Sequence, residues 1–202
     1  MKRASHSVIS GFFLRAILWL VPCLALWYLG RNYVAVAPAW LAEWAMKAVF
    51  PFWAHGSELH GTQQILLTGL RLNMPGGGVA DLAPEANVLT YAYGIPLLAA
   101  LFLAVRAKGW WWKIPVGSVA LLPFQAWGVC FTWLLQVAVQ AGEATHKQTR
   151  FDALDTNLIG AAYQIGFLLL PTLAPILIWL ALDRHLIHQV LVEGALSAGD
   201  QD

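Results

Sequence analysis

From Ile114 to Gln140 the chain carries no charged side chain. About 20 largely apolar residues suffice for a helix to cross the hydrocarbon of a bilayer, so this run is long enough with residues to spare. Three further runs approach the same condition: Gly11 to Gly30, Val88 to Val105, and Leu158 to Leu182. Arg15 lies close enough to the start of the first for its side chain to snorkel to the interface, and Pro123 predicts a kink in the third. Of the 202 residues, 59% are hydrophobic and 11% charged, against roughly 25% charged in an average soluble domain. The expectation is an all-α membrane protein. It is one integral domain over residues 1–202 with about four transmembrane helices, at 11–30, 88–105, 114–140 and 158–182.

Cations set the orientation, because short segments rich in Lys and Arg stay in the cytoplasm. Lys2, Arg3 and Arg15 belong to the start, Arg106, Lys108 and Lys113 crowd the second connection, and Arg184 follows the fourth run. Both termini are therefore expected in the cytoplasm, with outer loops at 31–87 and 141–157. A cleaved signal peptide is the competing reading of the start, with Ala35-Val36-Ala37 as the cleavage box. The length of the first run, the interrupting Arg31 and the following Pro38 favour an uncleaved anchor.

The first outer loop is too long for a plain connection and predicts structure of its own. Trp40, Leu41, Trp44, Ala45 and Ala48 recur at helical spacing between Pro38 and Phe50, which reads as an interfacial helix. Trp40, Trp44 and Trp53 are expected to anchor this loop in the headgroups, and Trp110, Trp111 and Trp112 the opposite interface. From Ser57 to Asn73, Ile65, Leu67, Leu70 and Leu72 lie among Thr, Gln and Arg, with Gly61 and Gly69 as turn or bulge positions, so a small β-hairpin is expected. Met74-Pro75-Gly76-Gly77-Gly78 reads as a loop. It lacks the Gly-Lys-Ser/Thr ending of a phosphate cradle.

Polar side chains within the apolar runs fall on stripes. Gln125, Thr132, Gln136 and Gln140 share a face of the third helix, and Asn157, Gly160, Gln164 and Pro171 share one of the fourth. Asn87, Thr90, Tyr91 and Gly94 lie near the outer end of the second. Two readings stay open. These groups either bond helix to helix within a close-packed bundle, or Gln136, Gln140, Asn157 and Gln164 line an outward groove for a peptide, a lipid headgroup or a partner helix.

Signals for chemistry are weak. His55 and His60 stand five apart with Glu58 between them, but Gly56 disfavours the helix that would make them a metal pair. His146, Lys147 and Arg150 read as a solvated turn with Asp152 and Asp155, and His185 and His188 as interfacial residues. Cys23 and Cys130 lie in apolar runs as small hydrophobes, without a disulfide framework. From Cys130 to His146 along a helix is roughly 24 Å, which argues against a thiol–imidazole pair. No metal or cofactor is expected. With a net charge of +1 there is no basic stripe for nucleic acid.

The four-helix plan with its outward loop, together with Asn87-Val88-Leu89-Thr90-Tyr91 and Pro123-Phe124-Gln125-Ala126-Trp127-Gly128, resembles the exosortase H-associated membrane proteins, small companions of bacterial exosortases. Exosortases are membrane cysteine transpeptidases that process C-terminal sorting tails of exported proteins, with Cys, Arg and His in separate membrane-proximal segments. This chain departs from that pattern at Cys130, which lacks the polar context and the matching Arg. The resemblance therefore implies a noncatalytic accessory or scaffold role in protein sorting, with the lipid bilayer and an exosortase as partners. Gln125, Thr132, Gln136, Gln140, Asn157, Gln164, Asn87 and Tyr91 would be the partner-binding or groove residues. The alternatives are a membrane enzyme using Cys130 or the outer-loop histidines, or a carrier of a small solute or lipid.

Overall fold

The computed structural model describes residues 2–73, 78–141 and 143–183. Most of the glycine loop at 74–78, together with Arg184, His185 and His188, lies outside them. The chain is mainly helical. α1 (Lys2–Leu29) is followed after Gly30 alone by α2 (Arg31–Val49). Five short strands come next: β1 (Ala54–His60), β2 (Gln63–Thr68), β3 (Arg71–Asn73), β4 (Val79–Asp81) and β5 (Glu85–Asn87). The chain then re-enters helix with α3 (Leu89–Ala92), α4 (Gly94–Ala104) and α5 (Trp110–Leu135), the last prolonged by a π-helical turn at Gln136–Gln140. α6 (Glu143–Thr149) leads to α7 (Ala153–Gln164), which passes through a π-helical turn, Ile165–Leu169, into α8 (Leu170–Leu182).

Among the described residues, three helical stretches are long and apolar enough to cross a membrane: Gly11–Leu29, Trp110–Val139 and Ala153–Leu182. The expected second span is the shorter stretch Leu89–Ala104. It is divided at Tyr93 because Pro96 has no N–H to donate and sits where a first helical turn needs none. The last long stretch begins five residues earlier than the apolar run predicts. Asp152 and Asp155 form a capping box, Asp155 N–H donating to Asp152 Oδ1 at 2.7 Å and Asp152 N–H to Asp155 Oδ2 at 3.1 Å, and this starts the helix among polar residues. Asn157, assigned to a loop, is thereby helical.

α5 is the central element. Toward its beginning it packs against α4 and α8, with Leu98, Phe102, Leu121 and Trp179 buried together. Lys113 Nζ closes this end on Asp183 Oδ2 at 3.2 Å. Toward its other end it packs against α2 and α7, where Ala42, Met46, Val129 and Trp133 join Leu66 of the sheet in a second core. α1 lies along α4, and Phe12 stacks on Trp179 with ring centroids 5.7 Å apart.

The expected hairpin is present but shifted, spanning Ala54–Thr68 rather than Ser57–Asn73. β1 and β2 pair antiparallel from Ala54↔Thr68 to His60↔Gln63, turning at Gly61 with φ +66°, a left-handed value that glycine adopts without steric cost. β5 adds to the other edge of β2, and β3 pairs with β4 as a separate two-stranded sheet. In β2 every second residue, Gln64, Leu66 and Thr68, is buried, as the period of a strand requires. The interfacial helix exceeds its expected bounds, starting at Arg31 rather than Pro38. It turns Ala35, Ala39, Ala42 and Met46 inward and leaves Trp40 and Trp44 exposed.

Small residues permit the closest contacts. A Cβ on Gly128 would stand 2.1 Å from Cδ1 of Tyr91, a ring whose hydroxyl is bonded to that of Thr132 one turn further along α5. Gly128→Ala is expected to cost about 1–3 kcal/mol through overpacking and to lower Tm in detergent. Gly160→Ala, whose Cβ meets nothing within 4 Å, is expected to leave Tm unchanged or slightly raised. Equal Tm values for the two variants would contradict this packing.

Candidate functional site

Glutamine side chains seat the strands on the helices. Gln136, at the start of the π turn after α5, accepts from Glu85 N–H at 3.0 Å and donates to Glu85 C=O. Gln148, on α6, accepts from Arg71 N–H at 2.9 Å and donates to Arg71 C=O at 2.8 Å. A primary amide offers the same donor and acceptor pair as a peptide, so each side chain satisfies a strand edge as a neighbouring strand would. Gln64 supplies a third tie from within the sheet, donating to Ala39 C=O and to Ser57 Oγ, both at 2.8 Å, while Trp133 Nε1 donates to Gln64 C=O at 3.3 Å. Ser57 Oγ in turn donates to Glu43 Oε2 on α2 at 2.8 Å. The strands are fixed against α2, α5 and α6 by groups on all three.

Beside this junction, α2 and α7 flank α5 and leave an apolar cleft of about 640 Å³. Met46 of α2, Phe50 just beyond its end, Pro123 and Ala126 of α5, and Ile159 of α7 contribute to its walls, and among the described residues Asp155 is the one charged side chain lining it. Trp127 Nε1 donates to Ala162 C=O at 3.0 Å and pins α7 to α5. Phe50 meets Phe151 edge to face, with centroids 5.8 Å apart.

A family model described as exosortase H-associated membrane protein matches residues 6–186. The chain belongs to that family. No curated protein and no solved structure matches it.

In this exosortase H-associated membrane protein the polar stripes separate into different roles. Tyr91 and Thr132 bond to each other across α3 and α5, and Asn87 Oδ1 accepts from Leu89 N–H at 3.1 Å, starting α3. Thr90 is half-buried. Gln125 is 2% exposed, and neither atom of its amide has a hydrogen-bond partner among the described residues. Gln136 serves the sheet, whereas Asn157 and Gln164 are exposed on α7. The side chain of Gln140 lies outside the described part. Among the expected anchors Trp40, Trp44, Trp110, Trp111 and Trp112 are exposed, but Trp53 is 7% exposed and packs on Phe50 at 4.9 Å between centroids. Trp53 is drawn inward because β1 begins at the next residue and carries it over the core.

The thiol of Cys130 is buried and points to Ala42 C=O at 3.6 Å. His55 is exposed, His60 lies 3.2 Å from Glu58, and His146 Nδ1 is 2.9 Å from Phe151 C=O. Among the described residues no group of three His, Cys, Asp or Glu side chains could hold a metal ion. The sequence reading overlooked Gln64 and Gln148. Alternation along β2 puts Gln64 on the face of Leu66 and could have revealed it. No local signal marks Gln148, whose partner is 77 positions away.

Replacing Gln136 by Leu removes two hydrogen bonds and is expected to cost about 1–3 kcal/mol, at about 0.5–1.5 kcal/mol net for each, and to speed hydrogen exchange at the Glu85 amide while sparing that of Arg71. Gln148→Leu should do the reverse. Exchange that rises at both amides in either variant, or at neither, would contradict two independent ties.

Proposed function

We propose that this protein is a noncatalytic accessory subunit of a bacterial inner-membrane protein-sorting system, binding an exosortase-type enzyme through α7 and holding the strands beside it on the outer face. In this reading the chain crosses four times, at Gly11–Leu29, Leu89–Ala104, Trp110–Val139 and Ala153–Leu182, with both ends in the cytoplasm. The cation-rich segments around Arg15 and from Arg106 to Lys113 support that orientation. Leu89–Ala104, about 24 Å long, crosses with modest local thinning of the bilayer.

The observation that carries the partner assignment is the exposed amide pair on α7. Asn157 and Gln164 are exposed on a helix apolar enough to cross a membrane, and neither has a hydrogen bond to a described residue. They are seven residues apart and so lie on nearly the same face, with Gly160 between them and open space where its Cβ would stand. Polar side chains on such a helix face protein or water rather than lipid, and a small residue lets a second helix approach closely. The family's association with exosortase supplies the class of partner. The buried setting of Cys130 supports a role without a nucleophile, since a reactive thiol needs access and a base or cation beside it.

Mild-detergent purification from cells that contain the sorting enzyme tests this reading. The chain should bring down an exosortase in stoichiometric amount. Asn157→Leu/Gln164→Leu removes two interhelical bonds worth about 1–2 kcal/mol each in model systems, so recovery should fall roughly tenfold or more with Tm unchanged. Cys130→Ser and His55→Ala/His60→Ala should retain both recovery and sorting. Undiminished recovery with the α7 double variant would remove this face from the interface, and loss of sorting in Cys130→Ser with recovery intact would favour an enzyme.

A further inference from the structure

The cleft between α2, α5 and α7 is distinct from the amide face of α7 and is not needed by the accessory role. Its dimensions and polarity select an occupant. Along α5 it runs from Pro123 to Leu134, roughly 17 Å of helix, which is close to half of the roughly 30 Å hydrocarbon thickness of a bilayer. A helix crossing the membrane would need a groove that continues along the other half of α5, but there α4 and α8 cover the helix and bury Gly117 and Leu121. The opening is therefore one leaflet deep, on the side where the strands sit.

Its polarity has a direction. The walls are apolar except at Asp155, which lies in the first turn of α7, at the end of that helix nearest the polar connection. The Asp155 carboxylate accepts only from Asp152 N–H among the described residues and has no cation within ion-pair distance there. An amphiphile with one acyl chain directed toward Pro123 and a cationic head beside Asp155 matches this gradient and stands as a lipid of that leaflet does. The volume of about 640 Å³ lies within the range of ligand-binding cavities.

We propose that the cleft is a lipid site that takes one acyl chain of a phospholipid from the leaflet on the sheet side and favours an amine headgroup, of the ethanolamine class, through Asp155. The site rests on the proposed crossings, but not on the exosortase partnership.

The test uses the full chain reconstituted in nanodiscs of phosphatidylethanolamine and phosphatidylglycerol, with trace phosphatidylethanolamine carrying a photoreactive acyl chain. Crosslinks should concentrate on residues 123–134 and 155–162, saturate, and be displaced several-fold better by unlabelled phosphatidylethanolamine than by phosphatidylglycerol. Ala126→Trp, which fills the cleft, should abolish the concentrated labelling. Asp155→Asn, which keeps an acceptor for Asp152 N–H, should retain labelling but lose the headgroup preference. Labelling spread evenly over α1 and the cleft would overturn the lipid site, and an unaltered preference in Asp155→Asn would overturn the role of the acid. In a parallel preparation from native membranes, a protein crosslink to Ala126 in place of the lipid would assign the cleft to a helix and overturn the proposal. Because the nanodiscs contain no exosortase, failure here leaves the α7 interface standing, and failure of that interface leaves this result unaffected.

Discussion

A helix of 30 residues is about 45 Å long, and the hydrocarbon of a bilayer is about 30 Å thick. Trp110–Val139 and Ala153–Leu182 both have that length, so about a third of each rod exceeds the hydrocarbon. The ion pair between Lys113 and Asp183 ties the start of α5 to the end of α8, with exposed Trp110, Trp111 and Trp112 beside it. Trp133 and Gln136, toward the end of the α5 rod opposite this ion pair, meet the sheet there.

Strands beside a membrane pose a problem that this arrangement solves. Unpaired edge groups are costly in hydrocarbon and open to unwanted pairing in water. Gln136 and Gln148 engage edges of two different sheets from two different helices, and Gln64 turns its amide back onto α2. The five strands are thereby held to the bundle without a long strand-to-strand ladder. α2 lies between these parts: its inner face packs on α5 and β1, while Trp40 and Trp44 remain on the other face.

Much of this was legible from hydrophobic period alone. The charge-free run from Ile114 and the helical spacing along α2 were each visible within one element, and one element is what a local pattern encodes; in β2 the apolar alternation of Ile65 and Leu67 marks the wrong face, since Gln64, Leu66 and Thr68 are the buried residues and Leu67 is exposed. Errors arose where a neighbour decides. Trp53 looked like an interfacial residue because nothing local shows that β1 starts at Ala54 and folds it over Phe50. The sequence puts Gln136 on a polar stripe of the third helix, yet the strand edge that takes up its amide is 51 positions away. The early start of α7 was written in Asp152 and Asp155, a reciprocal carboxylate box that hydropathy does not see.

The proposed topology joins the apolar helical bundle to a small strand assembly on one side of the membrane. Its central claim is that the strands and the connection from Arg106 to Lys108 lie on opposite sides of the membrane, separated by the short helix Leu89–Ala104. The most direct test places single cysteines at Gln63 or Lys108, both exposed, in a chain carrying Cys23→Ala and Cys130→Ala, and treats intact cells with a membrane-impermeant maleimide. The account predicts labelling of Gln63→Cys in intact cells and of Lys108→Cys only after the inner membrane is opened. Labelling of both positions from the same side, or the reverse order, would contradict it.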